Sequence, residues 1–254
     1  MTTRQRKTSR PSTRLARPDA TGPVYAIGDI HGHFNKLQAL WSKIEEDYRA
    51  LATHARADVI FLGDYVDRGP AGIKVLQFCH DLWKQPPSWC HPVFLIGNHE
   101  LMLLEWLQGK SLGALIYWLD NGGDETLEEL GISRTDAAVE GVKATAKKFP
   151  KHLATFVGEA LTLWYRWERY LFVHAGIQPG VQLDQQDSEE LVWIREEFLA
   201  DPRDHGFVVI HGHTPNYGRP EVKQNRINLD TGAGVGGPLT AVRLGVGAPV
   251  FLSS

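Results

Sequence analysis

The feature that most constrains this chain is a recurring junction, in which a short apolar run stops abruptly and residue types that bind metals follow at once. Its longest example is Asp58-Val59-Ile60-Phe61-Leu62, which runs into Gly63-Asp64-Tyr65-Val66-Asp67-Arg68-Gly69. Large and β-branched apolar residues in unbroken succession read as a strand buried on both faces, and a glycine at its end lets the backbone come close to a ligand. The junction recurs where Val24-Tyr25-Ala26-Ile27 meets Gly28-Asp29-Ile30-His31-Gly32-His33, and where Pro92-Val93-Phe94-Leu95-Ile96 meets Gly97-Asn98-His99-Glu100. It appears twice more, at Tyr170-Leu171-Phe172-Val173 before His174-Ala175-Gly176, and at Phe207-Val208-Val209-Ile210 before His211-Gly212-His213-Thr214. Between the first runs the apolar spacing is helical (Leu37, Leu40, Trp41, Ile44; then Ile73 and Leu76), so the pattern predicts an α/β fold.

Open α/β folds gather ligands beyond the carboxyl ends of their strands, which places Asp29, His31, Asp64, Asn98, His174 and His213 together at one sheet edge. Carboxylate, imidazole and amide oxygen suit Mn, Fe or Zn rather than thiophilic metals, and no cysteine sits at these junctions. Six donors are too many for one tetrahedral ion but enough for two ions sharing a carboxylate, the arrangement that clamps both oxygens of an in-line displacement.

Charge is unevenly spread. Of 27 basic residues, Arg4, Arg6, Lys7, Arg10, Arg14 and Arg17 precede Asp19, leaving 21 against 30 acids and a charge of −9 for residues 18–254. An acidic body argues against general nucleic-acid binding, and residues 1–20 read as a basic disordered arm. No run approaches the length of a membrane span or a secretory core, and two cysteines suit a reducing cytoplasm. Residues 101–165 lose the strand signal and read as a helical insert over the loops. The tryptophans read as packing residues.

Taken in order, Gly-Asp-Ile-His-Gly, Gly-Asp-Tyr-Val-Asp-Arg-Gly, Gly-Asn-His-Glu, Val-His-Ala-Gly and Gly-His-Thr resemble the signature of the phosphoprotein phosphatase family within the calcineurin-like metallophosphoesterases, in its bacterial and phage branch. The resemblance covers Val24 to Thr214 and implies a four-layer αββα sandwich, with residues 21–254 as a single catalytic domain. It implies a first metal on Asp29 and His31, a bridging Asp64, and a second metal on Asn98, His174 and His213, manganese being the leading choice with iron or zinc as alternatives. A bridging hydroxide would attack phosphorus directly, Arg68, Arg195 and Asn98 would hold the phosphoryl oxygens, and His99, oriented by Asp67, would protonate the leaving oxygen. Glu100 is expected to anchor its loop, His33 and His211 to support or pack, and Asp230 either to support the site or to shape a turn.

The implied activity is a serine/threonine protein phosphatase. The alternative is hydrolysis of dinucleoside polyphosphates such as diadenosine tetraphosphate; a non-catalytic metal-binding module is the remote third. The expected partner is accordingly a phosphorylated protein or a small phosphoester. The chain departs from eukaryotic phosphatases at Ile96, where they carry arginine, and from symmetrical dinucleoside tetraphosphatases in having Asp67 and in ending its third motif with Glu100.

Overall fold

The structure, a computed structural model, describes residues 22–254 together with the backbone of residues 12–15. Most of the expected basic arm therefore lies outside the described residues. Within it, however, β1 (Ser12–Leu15) is a strand pairing parallel with the edge of a sheet rather than free chain. An edge strand offers unpaired N–H and C=O groups that even a polar segment can satisfy.

Three of the apolar runs, β2 (Val24–Ile27), β3 (Ala57–Phe61) and β4 (Cys90–Phe94), lie parallel in one sheet. Two helices, α1 (Phe34–Ala50) and α2 (Gly72–Lys84), provide the crossovers that parallel pairing requires. The insert follows as α3 (Asn98–Leu107), α4 (Leu112–Trp118), a wide π-type turn (Leu119–Gly123), α5 (Asp124–Glu129), α6 (Arg134–Glu140), α7 (Val142–Ala146) and α8 (Lys151–Glu159). It ends earlier than expected, because Thr162-Leu163-Trp164-Tyr165-Arg166-Trp167, rich in aromatic residues, forms β5 (Thr162–Trp167).

A second sheet contains β6 (Tyr170–Val173), β7 (Val208–His211), β8 (Glu221–Val222) and β9 (Arg226–Asn228), in the order β1-β5-β6-β7-β9-β8. Two short helices, α9 (Glu190–Trp193) and α10 (Glu196–Leu199), lie in the β6 to β7 connection. The carboxyl-terminal β10 (Thr240–Leu244) returns to the first sheet antiparallel to β2, and β11 (Val250–Ser253) pairs antiparallel with β10, giving the order β11-β10-β2-β3-β4.

The unbroken apolar runs follow from the two sheets packing face to face. Ala26, Ile60, Leu62 and Val93 bury one side of the first sheet against Phe172, Ile210 and Ile227 of the second. The alternate residues Tyr25, Ile27, Val59 and Phe61 bury the other side with Leu37, Leu40, Val75 and Leu76 of the helices. Leu171, Val173 and Val209 share a cluster with Leu191, Val192 and Phe198, covering the far face of the second sheet. Each fully buried aliphatic or Phe side chain contributes about 1.5–3 kcal/mol of transfer free energy, so both faces of every central strand hold the frame rigid. The architecture is the expected four-layer α/β sandwich, with one difference: the motif loops come from two sheets rather than one edge. Among the described residues no helix is long and apolar enough to cross a membrane.

Candidate metal centre

The loop after β3 holds Asp64 between two triads of donors, each with all three ligand atoms within 4.8 Å: His31, Asp64 and His99, and Asp64, His174 and His213. All five are buried. In the second group His174 Nδ1 donates to the Leu62 carbonyl at 2.8 Å, and burial holds the ring's pKa below its usual value, so its Nε2 is a bare lone pair. That nitrogen lies 3.0 Å from Asn98 Oδ1 and 3.4 Å from Asp64 Oδ1, and His213 Nδ1 reaches the same amide oxygen at 2.9 Å. Burial and the neighbouring His174 push the His213 pKa down to about 2, the neutral form a metal ligand needs. His174 Nε2, Asn98 Oδ1 and Asp64 Oδ1 are acceptors turned toward one another without a proton between them, which fits a divalent cation, and the donor set is oxygen and nitrogen.

In the first group His31 Nδ1 sits 3.1 Å from the Val66 carbonyl and its Nε2 3.4 Å from Asp64 Oδ2, with His99 standing close by. Asp29 accepts with Oδ2 from the His213 backbone N–H at 2.9 Å, while its buried Oδ1 has no hydrogen-bond partner among the described residues. Burial, then the charges of Asp230 and Asp64, raise the Asp29 pKa well above the carboxylate range. A buried, orphaned carboxylate oxygen beside two more acids is what a nearby cation would relieve.

Geometry at the junctions explains their glycines. A Cβ on Gly212 would stand 1.9 Å from Asp29 Oδ1, and one on Gly97 would stand 2.1 Å from Asp64 Oδ1. Glu100 anchors its loop as expected, accepting from the backbone N–H groups of Asp64 (2.8 Å), Tyr65 (2.9 Å) and Gly97 (3.0 Å). His31, Asp64, Asp67, Arg68 and His213 all hold positive φ, between 46° and 70°, a conformation non-glycine residues rarely adopt.

His99 Nδ1 bonds Asp67 Oδ2 at 2.7 Å. Burial disfavours the charged ring, but Asp64 and the Asp67 hydrogen bond outweigh it and raise the pKa. Asp67 is in turn held by residues the sequence did not single out. Trp118 Nε1 donates to its Oδ2 at 2.7 Å, Thr126 Oγ1 donates to its Oδ1 at 2.6 Å, and the Asp67 N–H donates to Thr126 Oγ1 at 3.1 Å. The Arg68 N–H donates to the Gly122 carbonyl at 3.0 Å. Trp118 is therefore more than a packing residue, and the insert grips the loop that carries Asp67 and Arg68. The one available signal was Asn121-Gly122-Gly123, where Gly122, at a φ of 101°, kinks the chain between two helices.

Arg68 Nη1 lies 2.8 Å from His31 Nε2. Arg195 is exposed and donates to Thr214 Oγ1 at 3.2 Å, close enough to His174 and His213 for its charge to lower both pKa values. His211 is buried, edge-on to Phe198, with its Nδ1 3.1 Å from the Gly212 carbonyl, a packing role. Asp230 takes part in a turn, accepting from the Gly232 N–H at 3.0 Å, and also faces the acidic group through its charge on Asp29.

A bis(5'-nucleosyl)-tetraphosphatase PrpE (asymmetrical) from Oceanobacillus iheyensis is 26% identical over 237 residues, covering 85% of this chain and 86% of that one. A solved candidate diadenosine tetraphosphatase superposes with a TM-score of 0.65 at 20% identity, covering 96% of this chain and 99% of its own. A serine/threonine phosphatase from Saccharomyces cerevisiae superposes with a TM-score of 0.56 at 16% identity, covering 93% and 77% respectively. The calcineurin-like phosphoesterase family model matches residues 22–234, across both sheets and every motif loop, and the chain belongs to that family.

Proposed function

We propose that this metallophosphoesterase hydrolyses dinucleoside polyphosphates, cleaving them asymmetrically, at a site formed by Asp29, His31, Asp64, Asn98, His174 and His213. The observation that carries this reading is the match to nucleosyl-tetraphosphatases over 85% of the chain, with nearly the whole relative covered. It reverses the order expected from the motifs, where a serine/threonine protein phosphatase came first and the nucleotide enzyme second. The motifs specify phosphoryl chemistry; they do not specify what hangs from the phosphate.

Divalent cations bound at this site would supply an activated water and neutralise phosphoryl charge. The chain's own residues do the rest. Arg68 and Arg195 offer planar donor forks to the phosphoryl oxygens, which a lysine would not match. His99 carries the proton for the leaving oxygen on Nε2, its other nitrogen fixed on Asp67. A phosphoanhydride leaves as a phosphate and needs that proton less than an alkoxide does, so the pair serves either substrate class.

The protein-phosphatase reading keeps one supporting observation, the intact 2.7 Å His99–Asp67 pair that an alkoxide leaving group demands. Chromatographic detection of nucleotide products from diadenosine tetraphosphate, set against phosphate release from a phosphoserine peptide, with manganese, magnesium or zinc added, separates the two. A nucleotide preference with AMP and ATP as products is expected. A stronger rate on the peptide would reinstate the protein phosphatase.

A further inference from the structure

On α4, Leu115 and Trp118 are buried while Tyr117 remains 53% exposed. Exposed aromatics are ordinary when isolated, but this one is not isolated. Its ring centroid lies 6.3 Å from that of Trp193, and the Trp193 ring stands perpendicular to His213 with centroids 6.0 Å apart. A continuous aromatic surface therefore starts at a candidate metal ligand and runs outward across two elements distant in sequence. Arg195 follows Trp193 by two residues and is held on Thr214, so a guanidinium stands where this surface meets the site.

The position of Tyr117 is not left to a mobile rim. The next residue, Trp118, is buried and bonded to Asp67, and the Tyr117 carbonyl accepts from Asn121 Nδ2 at 2.8 Å. The same turn that fixes the general-acid pair thus fixes this ring relative to the phosphoryl site. Tyr117 and Trp193 are already in mutual contact, so a flat group would lie on their outer faces rather than slide between them.

We propose that Tyr117 and Trp193 form a stacking platform for one nucleobase of the substrate, with Arg195 holding the phosphate next to it. The proposal rests on the nucleotide reading above and adds the residues that would confer it. Aromatic faces take any base with little sequence preference. A phosphoserine or phosphothreonine peptide offers no equivalent flat, delocalised group next to its phosphate.

The test compares two phosphomonoesters that differ only in the base. Adenosine 5'-monophosphate and ribose 5-phosphate are titrated by calorimetry into the full chain in the presence of manganese. The nucleotide is expected to bind about tenfold more tightly, an advantage that Tyr117→Ala and Trp193→Leu each abolish and Tyr117→Phe retains. Equal binding of the two ligands by the unmodified chain, failure of either to bind, or survival of the advantage in both variants would overturn the platform. Hydrolysis of diadenosine tetraphosphate is read separately. Its absence alongside a base advantage that needs Tyr117 would overturn the proposed substrate while leaving the platform standing.

Discussion

The strand-end loops and the helical insert reach the same few ångströms by opposite routes. Each loop is a short peptide whose ligands are neighbours in sequence and whose direction is set by a strand buried on both faces. Beyond Glu100 the insert contributes no candidate ligand among the described residues, yet it supplies Trp118, Thr126 and Gly122 to the loop that carries Asp67 and Arg68, from 51 and 59 residues away in the case of the two side chains. Loops of the first kind provide the chemical groups; the second region decides how steadily two of them are aimed.

Breaking the shared carboxylate tests the loop side most severely. Asp64→Asn removes charge from both triads, and manganese content measured on the purified variant should fall together with turnover, by roughly 10³-fold or more since metal assistance provides several kcal/mol. Full metal content would show that the two triads do not depend on Asp64. His99→Ala comes next. Turnover on an alkyl phosphoester should drop on the order of 10²–10⁴-fold with metal content kept, and the drop on a polyphosphate should be smaller. Equal drops on both would remove the proton-donor role.

The insert side is tested by Trp118→Phe, which keeps the ring and deletes the N–H, and by Thr126→Val. Partners that orient a reactive group typically matter by 10–100-fold, so kcat should fall by about that much in either variant, with metal content unchanged. A kcat at the level of the unmodified chain would reduce the insert to a covering layer. Gly122→Ala sharpens the same point through the backbone: φ is 101° there, and a Cβ would meet Arg68 Cγ at 2.7 Å. With about 1–2 kcal/mol of strain placed beside the arginine proposed to hold phosphate, KM should rise several-fold while kcat changes less. Arg134→Ala, at the other extreme, breaks only exposed pairs with Asp120 and Asp124. It should cost under about 1 kcal/mol of stability and leave turnover alone, as calorimetry and a rate assay would show.

This contrast also marks what could be read in advance. Asp29, His31, Asp64, Asn98, His174 and His213 stood out in the sequence because each lies in a contiguous pattern whose glycine has a local steric reason, as at Gly97 and Gly212. How near His99 comes to His31 and Asp64 was not legible, since it depends on how the loops tilt toward each other. Trp118 and Thr126 left no trace in pattern because a single hydrogen bond to a distant aspartate imposes no spacing. Strand β5 was hidden by the helices before it, and Ser12–Leu15 by its polar composition, since its pairing uses backbone rather than side chains.

Five residues at the site hold a backbone torsion that glycine would adopt more comfortably. Arg68 is the clearest case, half-buried, with its φ at 65° and its side chain free of any structural ion pair among the described contacts. Arg68→Gly would ease that torsion and strip away a grip on phosphate in the same stroke. A laboratory selection for heat resistance alone would be drawn toward such changes, and would harvest durable molecules that no longer work.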